Sequence, residues 1–233
     1  MSNYDVIIAG AGHNGLVAAS YLAKAGKKVL VLEAQEVIGG ATQSVKAFED
    51  YEARLSRYSY LIALLPDKII KDLGLNFRNL SRNISSFTPY SHAGQEDGLL
   101  VSRKWDERTE ESFRKLTGGS KEGEAWQEFY GEVEKFAQRI APTLLEPLKS
   151  RAELNTHISM PQAWDYLIEN PIGNVIVDKF KNDLVRGVVL TDALIGTLSS
   201  AYGMQANGWR NSFELVVRSD GSYFSKWSSR VFD

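Results

Sequence analysis

Three glycines and one distant acid are the residues of this chain best suited by type and spacing to do chemistry. Gly10, Gly12 and Gly15 stand in the run Gly10-Ala-Gly-His-Asn-Gly15, and Glu33 lies about 20 residues past the loop. Each has a mechanical job. Gly10 permits a sharp turn, Gly12 has no Cβ to keep a pyrophosphate from the backbone, and Gly15 lets a helix pack close to the strands. The N–H groups of His13 and Asn14, at the start of a helix, face the phosphates together with the helix dipole. The Glu33 carboxylate can accept both hydroxyls of an adenosine ribose, and its charge repels a 2′-phosphate, which disfavours NADP. The chemistry is the binding of an adenine dinucleotide; these residues do not by themselves separate NAD from FAD.

The elements that must position them are legible. Tyr4–Ala9 predicts a fully buried strand, Leu16–Ala25 a helix stopped by Gly26, and Lys28–Glu33 a second apolar strand ending in the acid. The glycine loop therefore sits between strand and helix in a βαβ unit, the context that gives the motif its meaning.

After Glu33 the sequence runs Ala34-Gln-Glu-Val-Ile-Gly39-Gly40-Ala41-Thr42. Here it resembles the flavin oxidoreductases of the phytoene desaturase and amine oxidase type. Their second strand ends in Glu and a Gly-Gly pair comes next, beside the flavin phosphates. The resemblance implies FAD as cofactor, with Ala34 next to the ribose-binding acid and Gly39, Gly40, Ala41 and Thr42 on the phosphate or ribityl side. Rossmann dehydrogenases that use NAD lack the Gly-Gly step.

Composition narrows the classes. The 233 residues are 43% apolar and 24% charged with net charge −2, ordinary for a globular chain and without the basic excess of a nucleic-acid surface. There is no cysteine. That excludes disulfides, thiolate metal sites and dithiol redox catalysis, so electrons would pass directly between flavin and substrate. The first strand starts close to Met1, leaving no room for a signal peptide, and the apolar run Leu61–Leu65 is too short to span a bilayer. A cytoplasmic protein is the expectation.

Along the rest of the chain, Thr42–Tyr60 reads as polar and irregular, with Tyr51, Tyr58 and Tyr60 as an aromatic set and Arg54 and Arg57 as solvated arginines. Pro66-Asp67 opens a helix packed through Ile69, Ile70 and Leu73 and stopped by Gly74. Asn83–Tyr90 and Gly98–Ser102 read as strands joined by a loop, Ser91–Asp97, longer than the tight hairpin types; His92 within it reads as a surface residue. Asp106 and Ser120 are expected to cap two helices. The second of these carries Trp126, Phe129, Tyr130, Val133, Phe136, Ala137 and Ile140 at helical spacing, a stripe that reads as core. Pro142 and Pro147 break it. Helices through Trp164–Ile168, Val175–Phe180 and Leu184–Leu198 come next, and Gly203–Asp233 loses periodicity.

The segments Leu55–Leu65, Ile69–Leu75, Ser86–Tyr90 and Val189–Thr197 make the resemblance more specific. They are similar to the pyridine nucleotide-disulphide oxidoreductase domain-containing protein 2 group, kin of phytoene desaturases. With no cysteine pair, disulfide chemistry is not implied. The resemblance also implies a much longer protein, whose distal half returns to the flavin domain with a second glycine-rich segment. Neither is present, so a truncated or frame-shifted form is expected.

The fold class expected is α/β: a Rossmann-type FAD/NAD(P)-binding βαβ unit, then a largely helical substrate-domain portion with a small antiparallel sheet. The expected division is 1–75, 76–202 and an atypical tail, 203–233. The function implied is FAD-dependent hydride transfer to or from a small apolar substrate. An NAD-binding dehydrogenase and a non-catalytic nucleotide-binding remnant stand as alternatives. No catalytic side chain and no metal ligand is indicated.

Overall fold

The computed structural model describes residues 3–58, 65–77, 80–92, 94–194 and 200–202. The chain divides into two units, Met1–Asn79 and Leu80–Asp233.

In the first unit, β1 (Val6–Ala9) pairs in parallel with β2 (Val29–Leu32), in register from Val6↔Val29 to Ala9↔Leu32. The crossover is α1 (His13–Lys24), which packs against both strands and ends where Gly26 takes φ +80°. The β1–α1–β2 unit is therefore present, but its first strand is not fully buried as its apolar run predicts. Burial alternates along β1, Ile7 is 61% exposed and Leu32 52% exposed. Among the described residues the sheet has only these two strands, and a two-stranded parallel pair cannot cover both of its faces.

A short hairpin lies where an irregular segment was expected. Strands β3 (Ser44–Lys46) and β4 (Arg54–Ser56) pair antiparallel, Ser44 opposite Ser56, and Lys46 bridges to Glu52 at 2.7 Å. Both strands are short and polar, so no apolar alternation announces them. Tyr51 and Tyr58 are exposed, and the Arg57 guanidinium sits 5.1 Å from the Tyr58 ring centre. Helix α2 (Asp67–Leu73) begins after Pro66 and ends at Gly74, φ +64°. Its Ile69, Ile70 and Leu73 are half-buried rather than the core packing expected, and α2 buries no residue fully. It is tied to α1 by the Tyr21 hydroxyl, which donates to Asp72 at 2.8 Å, and by Lys24, which donates to the Asp72 carbonyl. Tyr60 and 61–64 lie outside the described residues.

The second unit opens with a hairpin of β5 (Ile84–His92) and β6 (Gln95–Ser102), paired as far as His92↔Gln95. Two residues connect the strands, not the long loop 91–97, and Gly94 at φ +78° suits so tight a return. The end of the hairpin is polar on both strands, which hides its strand character from the apolar pattern. Leu99 and Val101 on β6 are buried against α3 (Glu107–Thr117). Hydroxyls on α3 satisfy β6: Ser112 accepts from the Leu100 amide at 3.0 Å and Thr109 from the Ser102 amide at 2.9 Å.

Asp106 caps α3, accepting from the Thr109 amide, and Gly118 ends it at φ +75°. Helix α4 (Lys121–Ile140) starts after Ser120, whose own backbone is helical and whose side chain makes no cap bond, so the expected serine cap is absent. Its stripe forms the core. Phe129, Val133, Phe136 and Ala137 are fully buried, and Phe180 packs its ring 5.6 Å from that of Phe129. One helix was not foreseen: α5 (Arg151–Ile158), with a reciprocal capping box between Ser150 and Glu153. The Ser-x-x-Glu spacing was its signal. Then α6 (Pro161–Trp164) widens into a π turn (Asp165–Glu169), and α7 (Ile172–Lys179) and α8 (Asp183–Leu194) follow. Asn182 caps α8, accepting from the Leu184 and Val185 amides at 3.0 and 3.2 Å. The tail 203–233 and its aromatic and basic residues lie outside the described residues.

Candidate functional site

The first unit brings the glycine loop, the acid and the Gly-Gly pair together. Gly10 has φ +101° and donates its amide to the Leu32 carbonyl at 2.7 Å, which closes the loop onto the end of β2. Gly12 is the N-cap of α1, with extended backbone and no side-chain cap. His13 and Asn14, both exposed, begin the helix, so the first-turn amides have no intrahelical acceptor and no capping side chain. A Cβ on Gly15 would fall onto the Gly10 carbonyl oxygen, so packing of α1 onto the loop requires glycine there.

Glu33 faces the loop. Its Oε2 accepts the Ala11 amide at 2.6 Å and its Oε1 the Gln35 amide at 3.0 Å. These bonds, first from Gln35 and then from Ala11, hold its pKa below the usual carboxylate range. A carboxylate has about four lone-pair sites, so acceptor capacity remains. Ala34, exposed, comes next at the turn out of the strand.

The pair Gly39–Gly40 docks against the glycine loop. The Gly39 amide donates to the Ala11 carbonyl at 2.8 Å, and Gly12 and Gly39 form a parallel bridge. Gly39 is buried with φ +119° and Gly40 has φ +58°. A Cβ on Gly40 would come 3.0 Å from the Gly12 Cα, so the two backbones touch. Gly40, Ala41 and Thr42 form a single 3-10 turn, in which the Thr42 hydroxyl and amide both donate to the Gly39 carbonyl, at 2.7 and 3.0 Å. The Thr42 side chain thus braces the turn.

Two residues of the site escape the sequence reading. Ala11 is 2% exposed, its amide is held by Glu33, and its carbonyl holds Gly39. No residue type announces such a role, because it is performed by backbone groups alone. Gln43 is the second: its side-chain amide donates to the Val37 carbonyl at 3.1 Å, across the turn.

Residues 8–64 match the NAD(P)-binding Rossmann-like domain. The Rossmann-like domain thus contains all of these elements from the end of β1 to the β3–β4 hairpin. The chain is 40% identical over 203 residues to an uncharacterised protein of Mycobacterium bovis, covering 84% of this chain and 38% of that one. It is also homologous to the mouse pyridine nucleotide-disulfide oxidoreductase domain-containing protein 2, at 28% identity over 226 residues, 85% of this chain and 38% of the relative. The chain thus spans 38% of the length of each of these relatives. A solved putrescine oxidase bound to putrescine shares the fold at TM-score 0.53 and 18% identity, with 98% of this chain and 50% of that one covered. The architecture is accordingly α/β: a Rossmann-like domain, a helical remainder and small antiparallel sheets.

Elsewhere, among the described residues, no group of three or more His, Asp or Glu is placed to hold a metal ion, and no helix is long and apolar enough to cross a membrane.

Proposed function

We propose that the first unit holds the adenosine diphosphate half of FAD, and that the chain serves an oxidoreductase moving hydride between a small apolar substrate and the flavin. The observation that carries this reading is Glu33, folded back on the loop beside the uncapped start of α1 with acceptor capacity to spare. The residues fit the group. Gly10, Gly12 and Gly15 with the amides of His13 and Asn14 would take the pyrophosphate, Glu33 beside Ala34 the ribose, and Gly39, Gly40, Ala41 and Thr42 the side toward the flavin.

Gly12 adds independent support. Gly10 needs its positive φ and Gly15 its missing Cβ, but a Cβ on Gly12 would meet only the Gly40 Cα, at an ordinary 3.9 Å. The fold does not demand glycine at that position, whereas a ligand approaching the backbone there does.

A bound flavin would supply the hydride acceptor or donor; the protein would supply orientation and exclusion of water. The homologue named for oxidoreductase function and the oxidase that shares the fold support this class, and the Gly39–Gly40 pair against the glycine loop fits it.

Purified protein should show a flavin absorption band, or take up added FAD and gain one. Protein that binds neither FAD nor ADP overturns the reading. Enhanced NADH fluorescence on mixing, without flavin uptake, would move the cofactor to NAD.

A further inference from the structure

The residue after the glycine turn holds that turn from two directions. Gln43 reaches back with its side chain, and Nε2 donates to the Val37 carbonyl at 3.1 Å. On the way its stem crosses Gly39: a Cβ on Gly39 would lie 3.5 Å from Gln43 Cγ. Its main chain is pinned separately. The Gln43 carbonyl accepts the Arg57 amide at 2.9 Å, one step beyond the Ser44↔Ser56 pair of the β3–β4 hairpin. Gly39 and Gly40 have the widest backbone freedom of any residue type, so a turn built on them keeps one shape only if its surroundings impose it.

We propose that Gln43 is a positioning residue of the dinucleotide site. It ties the Val37–Gly40 turn to the β3–β4 hairpin and so fixes where the exposed backbone of Gly40 and Ala41 meets the phosphates. The proposal rests on the reading of this site as a dinucleotide site. Gln43 acts through Val37 and Gly39, and without it the entropy of ordering the turn is charged against binding.

The test compares wild type with Gln43→Met, which keeps the stem and removes the donor, and Gln43→Ala, which removes both. Affinities for FAD and for AMP are measured together with amide hydrogen exchange over residues 37–42. Exchange of the Gly39 amide should quicken in Gln43→Met and more in Gln43→Ala. FAD affinity should fall about threefold and about tenfold respectively. AMP lacks the second phosphate and the flavin, and its affinity should stay within about twofold of wild type in both variants. Gln43→Ala that binds FAD as wild type does overturns the proposal, as does equal loss of FAD and AMP with exchange over 37–42 unchanged. Wild-type protein that takes up neither ligand overturns the reading of the site itself, a result distinct from a variant that behaves as wild type.

Discussion

The carboxylate of Glu33 accepts the amide of Ala11 at 2.6 Å, 22 residues away along the chain and across the gap between the ends of two parallel strands. This bond makes the acid and the glycine loop one object. Glu33→Ala should therefore act twice, removing the ribose acceptor and releasing the loop. FAD affinity should fall by at least about tenfold, and the Ala11 amide should lose protection in hydrogen exchange. Exchange at Ala11 unchanged in the variant would show that the bond does not hold the loop.

The glycines separate packing from binding. Gly15→Ala sets a Cβ on backbone that cannot yield, and should destabilise the first unit by roughly 1–3 kcal/mol, read as a lowered denaturation midpoint. Gly12→Ala meets no such obstacle and should keep the wild-type midpoint while losing most FAD affinity. A Gly12→Ala protein that binds FAD normally would remove the ligand-approach argument for that residue.

At high pH the second unit should loosen. Burial, and then the Asp192 carboxylate accepting its hydroxyl at 3.0 Å, raises the Tyr130 pKa. Tyr166 is raised by burial and by Glu132, which accepts its hydroxyl at 2.5 Å while also pairing with Lys179 at 3.3 Å. For a phenol with a raised folded pKa, stability is fully present below the unfolded value, about pH 10, and declines above it. Thermal melts should therefore fall above about pH 10, and less steeply in the double variant Tyr130→Phe, Tyr166→Phe. Identical slopes in the two proteins would contradict the assignment.

The acid limb has the opposite sign. The Thr109 amide, then the Thr109 and Ser102 hydroxyls and Arg108, hold the Asp106 pKa at about 2. Its contribution is present above the unfolded value, about pH 3.9, and is lost as pH falls toward the folded one. Glu33, Asp72, Glu146, Glu153 and Glu169 are lowered too and share this limb. Asp106→Asn keeps a good cap without the charge, so it should flatten the fall between about pH 4 and about pH 2 and change the melting temperature at neutral pH by only about 2–4 °C. A melting profile that still falls as steeply as wild type in that window would rule Asp106 out as a contributor.

Much of the second unit was legible as one-dimensional pattern. The spacing of Trp126, Phe129, Val133 and Phe136 can be satisfied only by a helix that buries one face, and all four are buried. Asp106 and Gly118 bound α3 through local chemistry. The β3–β4 hairpin and the polar end of β5–β6 were not legible, since paired strands without an apolar face carry no period to read. Nor was the exposure of Ile7, because strand burial depends on neighbours that the strand does not encode.

By itself, then, the order of residues determined the β1–α1–β2 unit, the glycine loop and the acid at its far end, because turn, helix start and strand end are written in local sterics and capping. Only the tertiary structure decided that Glu33 holds the Ala11 amide, that Gly39 bonds the Ala11 carbonyl, and that Gln43 braces the turn between them. Each of those contacts ends on a backbone group, which every residue carries alike, so no choice of side chain could have announced its partner.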